Sequence, residues 1–197
     1  MNNIRILEKT QKGWWSIEEV ASLLSLSKKA AAVFISRSVT RGDLKYLKRC
    51  LYVLPDWISK ASEEDIFKIS NLVQTPSYIS LLTALSFYGI STQFPQSICE
   101  AIGKARSVKY EVEGFIFSYR FLPKNLFAEF KMQKGFFIAT PEKSLADALY
   151  LTSLGRYAID KAALDLSKVN FSKLEKILKM YPIRSRKYAK DFLQGGL

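Results

Sequence analysis

Two helix starts and one helix stop lie close together near the beginning of the chain. Ser16 and Glu19 have the S-x-x-E spacing of a capping box, in which each side chain satisfies a free amide at a helix start. Ser27 can cap the next helix, which we expect over residues 28–41. Gly42 can adopt the left-handed conformation that ends a helix. With a short helix before them, these signals predict three helices in succession.

A basic hairpin is predicted directly after the third helix. Apolar residues recur at strand-like spacing over 44–47 and 51–54, residues 48–50 form the turn, and Pro55 ends the second strand. Three helices followed by a hairpin are the order of a winged helix. We therefore predict a winged-helix DNA-binding domain over residues 1–58.

The third helix has one face suited to packing and one suited to DNA. At 100° per residue, Ala31, Phe34, Ile35 and Ser38 share the inner side, and Lys29, Val33, Ser36 and Thr40 share the outer side. A major groove just admits one helix, and a basic hairpin tip can reach the neighbouring phosphates. The candidate DNA-binding residues are Lys28, Lys29, Val33, Ser36, Arg37, Thr40 and Arg41 of the helix, with Lys45, Lys48 and Arg49 of the hairpin.

The positive charge is concentrated at the two ends of the chain. The formal net charge is +12, and the difference between basic and acidic residues is 10 minus 4 over residues 1–55, 12 minus 12 over 56–167 and 8 minus 2 over 168–197. A local excess of positive charge is typical of anion-binding surfaces, such as those that bind nucleic acid. We expect double-stranded DNA as a partner.

The remainder, residues 59–197, predicts a second domain of the α+β class. Helices are expected over 62–75 and 76–89, short strands over 97–102, 108–112, 115–121, 126–133 and 136–139, and a helix capped by Thr140. The simplest packing is a small, mainly antiparallel sheet flanked by helices.

Two basic helices separated by Pro182 are predicted at the C-terminal end. Their cations either form a solvated face of helices that cover the sheet or form a second surface for a polyanion or partner. The residues of this possible second basic surface are Lys173, Lys176, Lys179, Arg184, Arg186 and Lys187.

The residue types exclude several kinds of chemistry. The chain has no histidine, so Ser-His-Asp and Cys-His catalysis are excluded, and Cys50 and Cys99 cannot form a four-ligand zinc site. Glu142, Lys143 and Asp147 are the types used by metal-dependent nucleases, although a helix start also explains Glu142. We expect no cofactor, metal site or catalytic residue, no membrane association, and a cytoplasmic location.

Three segments together resemble the AbiEi family, the antitoxins of type IV toxin-antitoxin systems that act in abortive phage infection. They are RGDLKYLKRCLYVLP at 41–55, PSYISLLTALSFYGI at 76–90 and ATPEKSLADALYL at 139–151. Each segment alone is only modestly specific for the family, whereas the order and spacing of the three segments are more specific. Cys50 stands where we expect a glycine in the family's hairpin turn, and the region after residue 151 is shorter than in longer relatives.

The resemblance implies a winged helix that represses its own operon and a C-terminal domain that opposes a nucleotidyltransferase-like toxin. By match, Lys28, Lys29, Arg37 and Arg41 would lie on or beside the recognition helix, and Lys45, Lys48 and Arg49 on the wing. Two alternatives stay open: a plain winged-helix regulator with a C-terminal dimerisation or ligand domain, and a nuclease-like enzyme.

Overall fold

The computed structural model describes residues 3–10, 12–93 and 96–194. The N-terminal part contains four helices and three strands. They are α1 (Asn3–Lys9), β1 (Trp14–Trp15), α2 (Ile17–Leu23), α3 (Lys28–Arg41), β2 (Lys45–Lys48), β3 (Leu51–Val53) and α4 (Trp57–Lys60).

The predicted signals at the ends of α2 and α3 are confirmed. Ser16 and Glu19 make both hydrogen bonds of the capping box, and the Ser27 side chain accepts a bond from the amide of Ala30. Gly42 ends α3 with φ of 83°, a left-handed conformation that is cheap for glycine. Local side-chain chemistry therefore sets where these helices begin and where α3 ends.

The hairpin belongs to a three-stranded antiparallel sheet of order β1-β3-β2. The two-residue strand β1, which the sequence did not predict, places Trp14 opposite Val53 and Trp15 opposite Tyr52. The hairpin turn is tighter than predicted, because Lys48 pairs with Leu51 and leaves two residues between the strands.

The rest of the described chain contains six strands, five α-helices and three 3-10 turns. They are α5 (Glu63–Val73), β4 (Ser77–Ile79), α6 (Leu81–Phe87), β5 (Ile98–Gly103), β6 (Val108–Val112), β7 (Phe115–Phe121), a turn at Lys124–Leu126, β8 (Phe130–Gln133), β9 (Phe136–Ala139), α7 (Pro141–Ser153), turns at Lys161–Ala163 and Leu166–Lys168, α8 (Phe171–Leu178) and α9 (Ile183–Gln194).

The α+β class is confirmed, but the expectation of a small, mainly antiparallel sheet is wrong. The six strands form one mixed sheet of order β6-β7-β5-β4-β9-β8, in which the pairs β5–β7 and β4–β9 are parallel. One part of the difference is the parallel pair β5–β7, whose strands were expected but whose pairing was not, and the other arises at β4, inside a segment that we expected to be helical throughout. Three buried residues are too few to show a two-residue period, so the sequence pattern could not separate this strand from α6.

Helices cover both faces of the six-stranded sheet. On one face, Phe67 and Ile69 of α5 pack in a cluster with Phe117 and Phe136 of the sheet. On the other face, residues of α6, α7, α8 and α9 form a second cluster that includes Tyr78 of β4. The two C-terminal helices pack on α7, which lies between them and the sheet, so they form an outer layer on this side.

The first apolar cluster continues from the six-stranded sheet into the hairpin. Trp14, Leu47, Leu51 and Ile58 belong to the same cluster as Phe67 of α5. Helices α1 to α3 have a separate cluster of their own. The division into domains 1–58 and 59–197 stays a prediction, and the apolar contacts between the two parts favour unfolding as one unit.

None of the helices in the described part of the chain is long and apolar enough to span a lipid bilayer.

We expect Leu47→Ala to lower the free energy of unfolding by about 2–5 kcal/mol, because the buried side chain leaves a cavity where the hairpin meets the rest of the core. The measurement is urea unfolding followed by tryptophan fluorescence and by far-UV circular dichroism. All three tryptophans lie at residues 14, 15 and 57, so fluorescence reports on the N-terminal part, whereas dichroism reports on the whole chain.

For Leu47→Ala the two probes should give one coincident transition, as in two-state unfolding. The exposed residue Leu23 supplies a control, since Leu23→Ala should change stability by less than about 0.5 kcal/mol. Two separate transitions would contradict a core shared between the two parts.

Candidate nucleic-acid interface

The outer face of α3 is exposed along the length of the helix. Lys29, Val33, Ser36 and Thr40 are all exposed, whereas Ala31, Ile35 and Ser38 are buried against α1, α2 and the hairpin. The two faces derived from the helical period are therefore confirmed. Val33, with 45% of its surface exposed, is an apolar residue on an open face and could contact a thymine methyl group.

Two cations of α3 are held in ion pairs at the ends of the helix. Lys28 lies 2.6 Å from a carboxylate oxygen of Glu18, and that hydrogen bond raises the pKa of Lys28. Arg41 lies 2.8 Å from Asp43 and also donates to the Ser38 hydroxyl. Arg37, between them, is exposed and has no ion pair among the described residues.

The hairpin is attached to the six-stranded sheet through two of its three cations. The Lys48 Nζ atom donates to the carbonyl oxygens of Val73 (2.7 Å) and Leu72 (3.3 Å), which end α5. Lys45 lies 2.8 Å from Glu113 in the turn between β6 and β7. These contacts turn Lys45 and Lys48 toward the protein, a role that sequence reasoning did not anticipate.

Arg49 and Cys50 form the exposed tip of the hairpin. Arg49 makes no ion pair among the described residues, and Cys50 has φ of 61°, so a cysteine takes the left-handed position at which we expected glycine. Beside them, Tyr46 is 56% exposed and packs edge-on against Tyr52. Tyr46 is a further candidate contact, and its position among three hairpin cations is the signal that could have identified it.

The predicted second basic surface lies on α8, α9 and the turn between them. Five of its six cations are exposed: Lys176, Lys179, Arg184, Arg186 and Lys187. The sixth, Lys173, lies 3.0 Å from Glu142 of α7. Burial alone would raise the pKa of Glu142, but Lys173 and backbone amides lower it below its usual value.

A groove of about 480 Å³ runs between α8 and α9 beside this surface. Leu174 and Leu178 lie along it together with the cations Lys179 and Arg186. Lys190 also lines the groove and was not among the predicted residues. Apolar side chains line the groove together with three cations and the carboxylate of Glu175, which differs from a plain solvated helix face.

The nuclease-like set of Glu142, Lys143 and Asp147 is not brought together as one acidic site. Lys143 and Asp147 are fully buried, with the Nζ atom 2.5 Å from the carboxylate, whereas Glu142 turns toward Lys173. In the part of the chain that the structure describes, no group of three or more cysteine, aspartate or glutamate side chains could hold a metal ion.

Asp147 is instead the acceptor at the centre of a buried polar network. Its carboxylate accepts hydrogen bonds from Ser80 (2.9 Å), Tyr78 (3.1 Å) and Tyr181 (2.6 Å) in addition to Lys143. Burial and the neighbouring Asp147 raise the pKa of both tyrosines well above the usual value, so they stay neutral donors. The network links β4, α7 and the turn between α8 and α9.

A second buried carboxyl, Glu100 of β5, accepts a hydrogen bond of 2.8 Å from the Tyr157 hydroxyl. Burial raises the pKa of Glu100, although Tyr157 and the nearby Arg120 act in the opposite direction. This pair attaches the segment after α7 to the sheet. Like the Asp147 network, it joins parts of the fold that are distant in sequence.

We expect Lys143→Met to lower the free energy of unfolding by about 3–5 kcal/mol, because it leaves the buried Asp147 carboxylate without its cation. The double variant Lys143→Met, Asp147→Asn should be destabilised less than the sum of the two single variants, since no charge then stays buried. Urea unfolding of all four proteins in the cycle measures the difference.

The half-exposed pair Lys68–Asp65, at 3.2 Å on α5, provides the matched control. Lys68→Met should cost less than about 1 kcal/mol, as surface ion pairs do. Equal losses for Lys68→Met and Lys143→Met would show that the buried network contributes no more than a surface pair.

Comparison with known proteins shows a likeness of fold to a solved structure. No family model matches the chain, and no curated protein matches it. The chain is similar to the crystal structure of the RV2827C protein from Mycobacterium tuberculosis, with a TM-score of 0.64 and 13% sequence identity, over 98% of this chain and 75% of that one. At this identity the similarity establishes a shared fold alone.

Proposed function

We propose that the chain is a DNA-binding antitoxin that represses its own operon and opposes a nucleotidyltransferase-like toxin in the cytoplasm. In this proposal the three N-terminal helices and the hairpin act as a winged helix. The observation that carries DNA binding is the open outer face of α3, on which Lys29, Val33, Ser36 and Thr40 are all exposed. The antitoxin activity rests on the resemblance of the three segments to the AbiEi family.

The ion pairs rank the candidate DNA contacts. Lys29, Arg37 and Arg49 are exposed without an ion pair among the described residues, so they can approach a phosphate or a base edge at no cost in internal contacts. Contact through Lys28 or Arg41 requires that a surface ion pair be broken first. We therefore assign the main DNA contacts to Lys29, Arg37 and Arg49.

Lys48 is less available than its position in the hairpin suggests. Its release from α5 breaks two hydrogen bonds to carbonyl groups, each with a net value of about 1 kcal/mol. In the proposal Lys48 positions the hairpin, while Arg49 at the tip contacts the DNA. A substitution of Lys48 would thus change hairpin position and charge together, so Arg49 is the cleaner residue to test.

We expect Arg37→Ala to reduce the preference for the cognate site, because base contacts discriminate by about 1–3 kcal/mol each. Arg49→Ala should weaken binding to all duplexes alike and reduce the slope of log affinity against log salt by about 0.9, as for one lost phosphate contact. The measurement is fluorescence anisotropy with the gene's own upstream DNA and a scrambled duplex, across a salt series.

Arg156, exposed just after α7, gives the control variant Arg156→Ala, which should bind as the wild type does. Wild-type affinity, preference and salt slope in both test variants would overturn the assignment of α3 and the hairpin. If only the double variant Lys176→Ala, Lys179→Ala lost DNA binding, the DNA-binding surface would instead lie on α8.

The antitoxin part is tested in cells with a toxin-like protein encoded beside this chain. Coexpression of the wild-type chain should restore growth that the toxin arrests. When both genes are driven by foreign promoters, the Arg37→Ala variant should restore growth as well as the wild type does, because repression of the operon is then not needed. Growth arrest that the wild-type chain does not relieve, together with specific DNA binding, would favour the plain winged-helix regulator.

A further inference from the structure

Helices α8 and α9 leave a groove between them on the outer side of α7. Both helices pack more closely on α7 than on one another, and residues 179–182 join them. The groove has a volume of about 480 Å³, and the residues of α9 that line it extend from Arg186 to Gln194. Such a stretch is about 12 Å of helix. A third helix of about two to three turns matches this space.

Three cations line the groove without an acidic partner. These groove cations are Lys179, Arg186 and Lys190, which are all exposed and form no ion pair within residues 3–10, 12–93 and 96–194. Arg186 and Lys190 are one turn apart on α9, a spacing at which like charges destabilise a helix. The carboxylate among the lining residues is that of Glu175, so positive charge exceeds negative charge by three to one. An anionic ligand would relieve this repulsion.

The apolar side chains of the groove indicate what kind of anion it binds. Phe171 is 46% exposed, and Leu178 and Leu193 are half-buried beside it. The phosphates of a nucleic acid gain nothing from such surface, and a flat lipid surface does not enter a groove between two helices. An amphipathic helix carries an apolar stripe and charged residues on the same segment, and it binds in grooves of this kind.

The distribution of charge disfavours a second copy of this chain as the occupant. Residues 168–197 contain eight basic and two acidic residues, so pairing of α8 and α9 with their equivalents would bring two strongly basic surfaces together. Like charges that meet across an interface are costly, whereas opposite charges favour association. The partner that complements the groove cations is therefore a different, acidic chain.

We propose that the groove between α8 and α9 binds an acidic amphipathic helix of another protein. The apolar stripe of that helix packs on Phe171, Leu178 and Leu193, and its carboxylates face the groove cations. The site includes no residue of α3 or the hairpin. Substitutions in the groove therefore leave the proposed DNA contacts in place, and the two proposals can fail independently.

The first test uses a fluorescein-labelled peptide of about 14 residues, with leucines along one helical face and glutamates on the rest. Its binding to the full chain is measured by fluorescence anisotropy. A control peptide of the same composition has its leucines at alternate positions, so they do not form one helical stripe. We expect saturable binding of the first peptide and about tenfold or greater weakening for the control. A peptide with lysine in place of glutamate should not bind.

The double variant Lys179→Glu, Arg186→Glu reverses two of the groove cations and should weaken binding of the acidic peptide about tenfold or more. The matched control is Lys176→Glu, Lys187→Glu, which makes the same change in net charge on the same helices at exposed residues that do not line the groove. It should weaken binding by about threefold or less, because its charges lie outside the contact. The lysine peptide should bind the first double variant more tightly than it binds the wild type.

Phe171→Ala tests the apolar contact and should weaken binding about fivefold or more. Its control is Ile183→Ala, since Ile183 is 75% exposed at the start of α9 and does not line the groove. This control should bind the acidic peptide as the wild type does. Circular dichroism verifies that each variant is folded, and the comparison of the peptides on the wild-type chain holds for any variant that fails to fold.

Four results would overturn the proposal. Equal weakening by the two charge-reversal variants would show a general attraction to a basic surface, and equal binding of the amphipathic and control peptides would show that no helical stripe is recognised. Nucleic acid would be the occupant if Lys179→Glu, Arg186→Glu weakened binding of a scrambled DNA duplex as much as binding of the peptide. Absence of peptide binding, with binding to phosphatidylglycerol vesicles that the same variant abolishes, would make a lipid surface the occupant.

Discussion

The buried carboxylate of Asp147 is the interaction on which the packing of the larger sheet depends. Four donors from three parts of the chain converge on it: Lys143 one turn earlier on α7, Tyr78 and Ser80 at β4, and Tyr181 between α8 and α9. A charge removed from water is tolerated when paired and hydrogen-bonded in this way. Because β4 lies in the middle of the sheet, the network fixes the C-terminal helices to the strand that joins its two halves.

The attachment of the hairpin to the sheet connects the proposed DNA-binding part to the rest of the molecule. Lys48 and Lys45 are the hairpin cations that the sequence predicted to contact DNA, but their partners in the structure are α5 carbonyls and Glu113. The shared apolar cluster adds burial to these polar contacts. A change in how the hairpin contacts DNA would therefore act on α5 and β6 as well.

Local patterns predicted the local features of this fold well. The bounds of β6, β7 and β9 match the predicted 108–112, 115–121 and 136–139, and the capped ends and exposed face of α3 follow from side-chain chemistry and period. One miss is local: the strand expected over 126–133 is only Phe130–Gln133, after a turn at Lys124–Leu126. The other misses involve contacts between distant segments. β1 is two residues long and exists only through its pairing with β3, and parallel pairing of β4 has no signature in three buried residues. For the candidate site, exposure was predictable, whereas the partners of Lys45 and Lys48 lie in another part of the chain.

The cover that β2 gives to β6 has a further consequence for the behaviour of shortened chains. If proteolysis removed the first 58 residues, β6 would lose the hairpin beside it, and Glu113 would lose Lys45. The remaining sheet would then present open edges at both β6 and β8, which allows head-to-tail pairing of one fragment with the next into open-ended stacks. The N-terminal part therefore covers an edge of the sheet that would otherwise be open to pairing with another copy.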